Sequence, residues 1–172
     1  MIRGSELLDL PIYNYKENKK LAYLESFLLN LYTRKIEALT IKKNILLNNI
    51  IYIPIYNINQ IYNDRLTTKY DSIKKTTEYV IDSKQFIDYQ QIINKTIVGY
   101  NKSILGVVRD IWINEITWDY LAYEISEGYF DDFMSGRKLM YSDQEYTIGE
   151  NNLHLNKDLV VASYEGFLID KF

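Results

Sequence analysis

The sequence predicts a mainly all-β protein: two tandem small antiparallel β-barrels with short helical turns. Three observations carry that expectation. First, Ile104 to Arg137 reads as two strands and a turn. Val107, Val108, Ile111, Trp112, Ile113, Thr117 and Trp118 are β-branched or aromatic, types that suit a pleated, half-buried surface. Second, an earlier stretch repeats this outline. With Leu21 set on Leu105, Leu24 meets Val108, Phe27 meets Ile111, Asn30 meets Asn114, Thr33 meets Thr117 and Ala38 meets Ala122, without a gap. Two copies of one supersecondary unit are the economical explanation. Third, each copy consists of short apolar runs joined by polar turns, the pattern of a small barrel or sandwich.

In chain order, Ser5 to Leu8 opens as a helical turn with Ser5 as N-cap. Pro11 closes it, and Ile12 to Tyr15 follows as a strand. Leu21, Leu24, Leu28 and Leu31 fall at helical spacing. The register with the β-rich second copy overrules that period and predicts an extended Leu21 to Leu31. Strands are expected at Ile36 to Lys42, Ile50 to Pro54 and Ile58 to Thr68. The first domain spans residues 1–70, a polar linker 71–80 and the second domain 81–172. In the second copy, Asn114 to Thr117 is the hairpin connection and Trp118 to Ile125 the return strand. Ser126-Glu127-Gly128 is a turn, and the following residues make a short helical turn stopped by Gly136. Lys138 to Tyr141 returns as a strand, and Val160-Val161-Ala162 adds one beyond the repeat.

The 172 residues are 47% hydrophobic and 25% charged, enough apolar material for a core. Net charge is −3, with Lys and Arg scattered among Asp and Glu. DNA is therefore not an expected partner and RNA is disfavoured, because both demand clustered positive charge. No cysteine is present, which excludes disulfides and thiolate metal sites. The densest apolar run, Ile50 to Tyr56, is interrupted by Pro54 and falls short of the roughly 18–20 residues of a membrane span. Arg3 is followed by Glu6 and Asp9 rather than by the apolar core of a signal peptide. The expected location is cytoplasmic, or the stromal equivalent in an organelle.

At this point the residues resemble a known family. Leu105-Gly106-Val107-Val108-Arg109-Asp110 is similar to the Leu-Gly-x-Val-x-Asp motif of PRC-barrel domains, named after the H subunit of the photosynthetic reaction centre. Glu124 to Gly128, Gly136-Arg137 and Ile148-Gly149-Glu150 resemble the second half of tandem PRC-barrel proteins of Gram-positive bacteria. The first copy matches through Ser5, Leu8, Pro11, Leu21, Ala38, Leu39, Ile53-Pro54 and Asp64, but has Ala22 for the family glycine and Ser26 for its aspartate. The resemblance implies a small barrel used as an adaptor. Relatives act in photosynthetic electron-transfer complexes and in maturation of the small ribosomal subunit.

Catalytic candidates are lacking. His154 is the only histidine, and reads as a structural or surface residue. Asp131-Asp132 with Glu127 lacks the alternating ligands of a calcium loop and reads as a solvated acidic turn. None of the 7 glycines follows a phosphate-cradle spacing. No cofactor or metal is expected. Asp110 is assigned a structural role, serving a turn or pairing with Arg109 or Arg137; Trp112 and Trp118 are assigned to packing. Gly106, Asp110, Gly128, Gly136 and Arg137 form the structural motif. Gly106 marks a close backbone approach, with valine there expected to be severe and alanine, by analogy with Ala22, mild.

Tyr129, Phe130, Phe133 and Met134 are the partner-binding candidates. Buried, they would plug the open end of the barrel, the reading the sequence favours; exposed, they would mark a protein-binding surface. The expected function is a non-enzymatic adaptor or scaffold whose partner is another protein. An RNA- or ribosome-associated assembly factor is the alternative, and an enzyme ranks third.

Overall fold

The computed structural model describes residues 1–41, 51–69, 85–158 and 161–162. The expected linker, residues 71–80, lies outside the described residues. The first copy opens with β1 (Ile2–Arg3), helical turn α1 (Gly4–Leu7), β2 (Pro11–Asn14), β3 (Lys20–Asn30) and β4 (Lys35–Ile41). It continues with β5 (Ile51–Pro54), a 3₁₀ turn at Ile55–Asn57, β6 (Ile58–Tyr62) and β7 (Arg65–Thr68). The second copy runs through β8 (Phe86–Asp88), α2 (Tyr89–Ile92), β9 (Thr96–Val98), β10 (Ile104–Ile113), β11 (Tyr120–Ser126) and α3 (Tyr129–Ser135). It ends with β12 (Lys138–Tyr141), β13 (Tyr146–Ile148), β14 (Asn152–Leu155) and β15 (Val161–Ala162).

The Leu21 to Leu31 stretch is extended, as the repeat predicts. Long-range pairing decides it: β3 is antiparallel to β2 on one side and to β4 on the other. Leu24, Phe27 and Leu29 enter the main core, while Leu28 packs on the opposite side with Ala38 and Tyr52. Burying such a side chain contributes about 1.5–3 kcal/mol, more than the weak helical preference of leucine. The expected single strand Ile58 to Thr68 is instead the hairpin β6–β7, turning at Asn63-Asp64.

The two sheets have orders β5-β4-β3-β2-β7-β6 and β13-β14-β9-β10-β11-β12-β15. Both curl into half-barrels. Among the described residues most pairings are antiparallel, with one parallel pair in each half, β2 with β7 and β9 with β14. Among the described residues, each sheet is completed by the other half. β1 pairs with β10, and β8 pairs with β3, in matching registers: Ile2 opposite Ile113, Ile87 opposite Leu29. One core cluster accordingly mixes both copies, from Leu7, Phe27 and Leu39 to Tyr89, Ile111 and Tyr123.

A pseudo-twofold axis passes between the two central hairpins. Lys35 faces Asp119 in an antiparallel bridge. Ile36 N–H donates to Trp118 O at 2.8 Å, and Tyr120 N–H donates to Arg34 O at 2.9 Å. These residues are equivalent in the sequence register, so each hairpin tip binds the other as it is bound. The turns are equivalent too: Asn30 Oδ1 accepts from the Tyr32 and Thr33 amides, and Asn114 Oδ1 from those of Ile116 and Thr117.

Candidate partner-binding site

The region begins at the motif strand. Gly106 has φ +145°, and a Cβ there would stand 2.6 Å from both Ser126 O and Ile125 Cγ2. The close approach inferred from the sequence is present, but the expectation that alanine would be mild is overturned. Ala22 keeps a negative φ, so it is no guide to this backbone. A shift in the β9–β10 register between Ile104 and Gly106 kinks the strand and leaves Ile104 exposed. Ile104, Leu105, Gly106 and Val107 form one wall of a groove of about 280 Å³, with Ser126, Glu127 and Gly128 opposite.

Gly128 and Gly136 flank α3 as its N-cap and C-cap, with φ of +146° and +71°. Between them, Tyr129, Phe130, Phe133 and Met134 are exposed by 88, 81, 80 and 74%. The barrel plug favoured on the sequence is therefore corrected. At 100° per residue these four side chains fall within about 140° of arc on one face of the helix. That face points to solvent because the remaining arc carries Asp131 and Asp132, and Asp132 is drawn back to Arg137 (Nε to Oδ2, 3.4 Å). Asp132 ties the helix back to the barrel, while Asp131 and the apolar side face solvent.

Arg137 owes its position to Glu124, a residue the sequence reading did not single out as a site. Glu124 is buried mid-strand and ligated by Arg137 Nη1 at 2.6 Å and Arg3 Nε at 3.0 Å. Trp112 Nε1 donates to it at 3.1 Å, and the Arg3 guanidinium lies 5.1 Å from the Trp112 ring centre. Glu124 pushes the Arg137 guanidinium above its already high pKa, with Asp132 adding to the effect. A lone carboxylate within the apolar run Tyr120 to Ile125 was the available signal, since a buried charge is rarely unpaired. Thr40 occupies the equivalent place opposite Ser26, so the first half has no such network at this position.

Asp110 pairs with neither expected arginine. Arg109 donates to Asn94 Oδ1 at 2.7 Å, and Arg137 is committed to Glu124 and Asp132. Asp110 instead caps α1 across the pseudo-twofold. Oδ1 accepts from Ser5 N–H at 3.1 Å and from Tyr89 Oη–H at 2.9 Å, and Oδ2 accepts from the Ser5 hydroxyl. Burial, reinforced by Asp110, raises the Tyr89 pKa strongly. Ser5 is thus not the N-cap; that position is Arg3, which makes no side-chain cap. At the other helical turn the chemistry is exchanged. Asp88 is the N-cap of α2, accepting from Gln90 N–H at 2.8 Å, and Ser26 on β3 donates to it at 2.6 Å. Each turn keeps one carboxylate and one serine, with Ser26 standing where the second copy has Asp110.

Trp112 and Trp118 are buried in packing, as expected, and His154 is exposed on β14. Among the described residues no helix is long and apolar enough to cross a membrane. The PRC-barrel domain model matches the chain twice, over residues 1–74 and 84–159. No curated protein matches it.

Proposed function

The chain belongs to the PRC-barrel domain family, and on that premise we propose that it is a non-enzymatic adaptor that binds another protein through α3. PRC-barrel domains are protein-interaction or scaffold-type modules. The observation that carries the reading is the outward apolar face of α3: four large side chains, contiguous on one helix face and each at least 74% exposed. A contiguous patch of this kind marks an interaction surface, and aromatic anchors dominate binding energy when a partner buries them.

The partner's chemistry follows from the rim. The helix carries Asp131 and Asp132 and no base; Glu127 before it pairs with Lys138 and Asp132 with Arg137, so Asp131 is the acid the rim offers to a partner. A complementary partner offers an apolar cleft edged by Lys or Arg. The groove beside Ile104 and Leu105 extends the contact toward β10. The experiment compares capture by the tagged wild-type chain and by a Phe130→Ser/Phe133→Ser variant of unchanged thermal stability. A specific partner should be weakened by about tenfold or more in the variant, given the usual cost of losing buried aromatic anchors. Equal recovery by both chains would exclude α3 as the binding site.

A further inference from the structure

We propose that α3 is a hinged element held against the second barrel by an Arg137 latch, with the buried Glu124 as its fixed point. This rests on reading α3 as the binding surface and addresses when that surface is presented. Three observations converge. No residue of α3 is buried, so packing contributes little to its position. Both ends are glycines with positive φ, and a Cβ at Gly136 would meet nothing within 4 Å, so the exit has room to pivot. Arg137 then bridges Asp132 on the helix to Glu124 in the strand, with Nε turned to one carboxylate and Nη1 to the other.

The geometry makes Arg137 a positioning residue. Its guanidinium presents several donors in a rigid fork, so it bridges two carboxylates without changing rotamer. Glu124 does not move, because Arg3 and Trp112 hold its other oxygen. Asp132 is the releasable end: it sits on the helix and its ion pair is the longer of the two, 3.4 against 2.6 Å. A basic rim on the partner would compete with Arg137 for Asp132, so docking and unlatching would favour each other.

Chymotrypsin tests this on the purified chain alone, so the outcome does not depend on any partner. Tyr129, Phe130 and Phe133 are cleavage sites inside α3, and their cleavage rate reports how often the helix leaves its docked position. Asp132→Asn and Arg137→Gln should each accelerate cleavage within α3 by about three- to tenfold, while cleavage elsewhere keeps its wild-type rate. The double variant should match the singles rather than multiply them. Lys157→Gln removes an exposed ion pair with Glu145 outside this network, so α3 cleavage should stay within about twofold of wild type. Wild-type rates in both latch variants, or equal acceleration by Lys157→Gln, would overturn the latch. Acceleration spread evenly over the whole chain would also overturn it, by reducing Arg137 to a general stabiliser.

Discussion

Replacing Gly106 by alanine adds one methyl group, and the structure makes that methyl costly. Its φ of +145° lies where a side chain is strained, at about 1–3 kcal/mol. The new Cβ would stand 2.6 Å from Ser126 O, a backbone atom of the paired strand that cannot rotate away. Separating β10 from β11 to relieve this costs about another 1–3 kcal/mol by analogy with overpacked cores. The reduced freedom of the unfolded chain returns only about 0.4–1 kcal/mol. A net loss of about 1–5.5 kcal/mol follows, and with a urea slope near 2 kcal/mol/M the midpoint should fall by about 0.5–3 M. Valine at the same place should be worse. Ala22→Gly is the paired control, expected to cost only about 0.5–1 kcal/mol because its backbone is ordinary. A Gly106→Ala variant within about 0.5 kcal/mol of wild type would refute the close-approach argument.

Three further outcomes follow from the same geometry. Asp110→Ala should cost about 3 kcal/mol in urea unfolding, because it strands the Ser5 amide and the Tyr89 hydroxyl in a buried site, whereas Ser5→Ala should cost about 1 kcal/mol. Burial raises the pKa of Tyr89, Tyr120 and Tyr123 above the ordinary value of 10.0. Their contribution is therefore complete below pH 10 and is lost as pH rises beyond it, by up to about 4 kcal/mol per pH unit for the three together. Absorbance at 295 nm should show the exposed tyrosines ionising in the folded chain and these three only as it unfolds; all 17 tyrosines titrating before unfolding would contradict the burial assignment. Lys35→Ala should change stability by less than about 0.5 kcal/mol, since its pair with Asp119 is solvent-exposed and the backbone bridge remains. A loss above 1 kcal/mol in a double-mutant cycle would assign that pair a larger role.

Much of the architecture was legible because the copies inform each other. Leu21, Leu24, Leu28 and Leu31 alone spell a helix, and only the register with Leu105 to Glu115 reveals the strand. The exchange of β1 and β8 between halves was not legible. It depends on pairing between segments far apart in the chain, which local patterning does not encode. The swap of Ser26 with Asp88 against Asp110 with Ser5 escaped for the same reason: each partner is adjacent only in space. For α3 the residues were identified but their direction was reversed. An apolar stripe normally turns inward; here the opposing arc holds Asp132, and Glu124 had to be recognised as the anchor that places Arg137 to receive it.

The outward face of α3 is the proposed seat of a protein partner. A photoreactive phenylalanine analogue at Phe133 tests it most directly, compared with the same group at Tyr32, an equally open aromatic on the β3–β4 turn, 72% exposed. A discrete protein adduct is expected from position 133, abolished by Phe130→Ser, and none from position 32. An adduct formed only from position 32, or one from position 133 that survives Phe130→Ser undiminished, would contradict it.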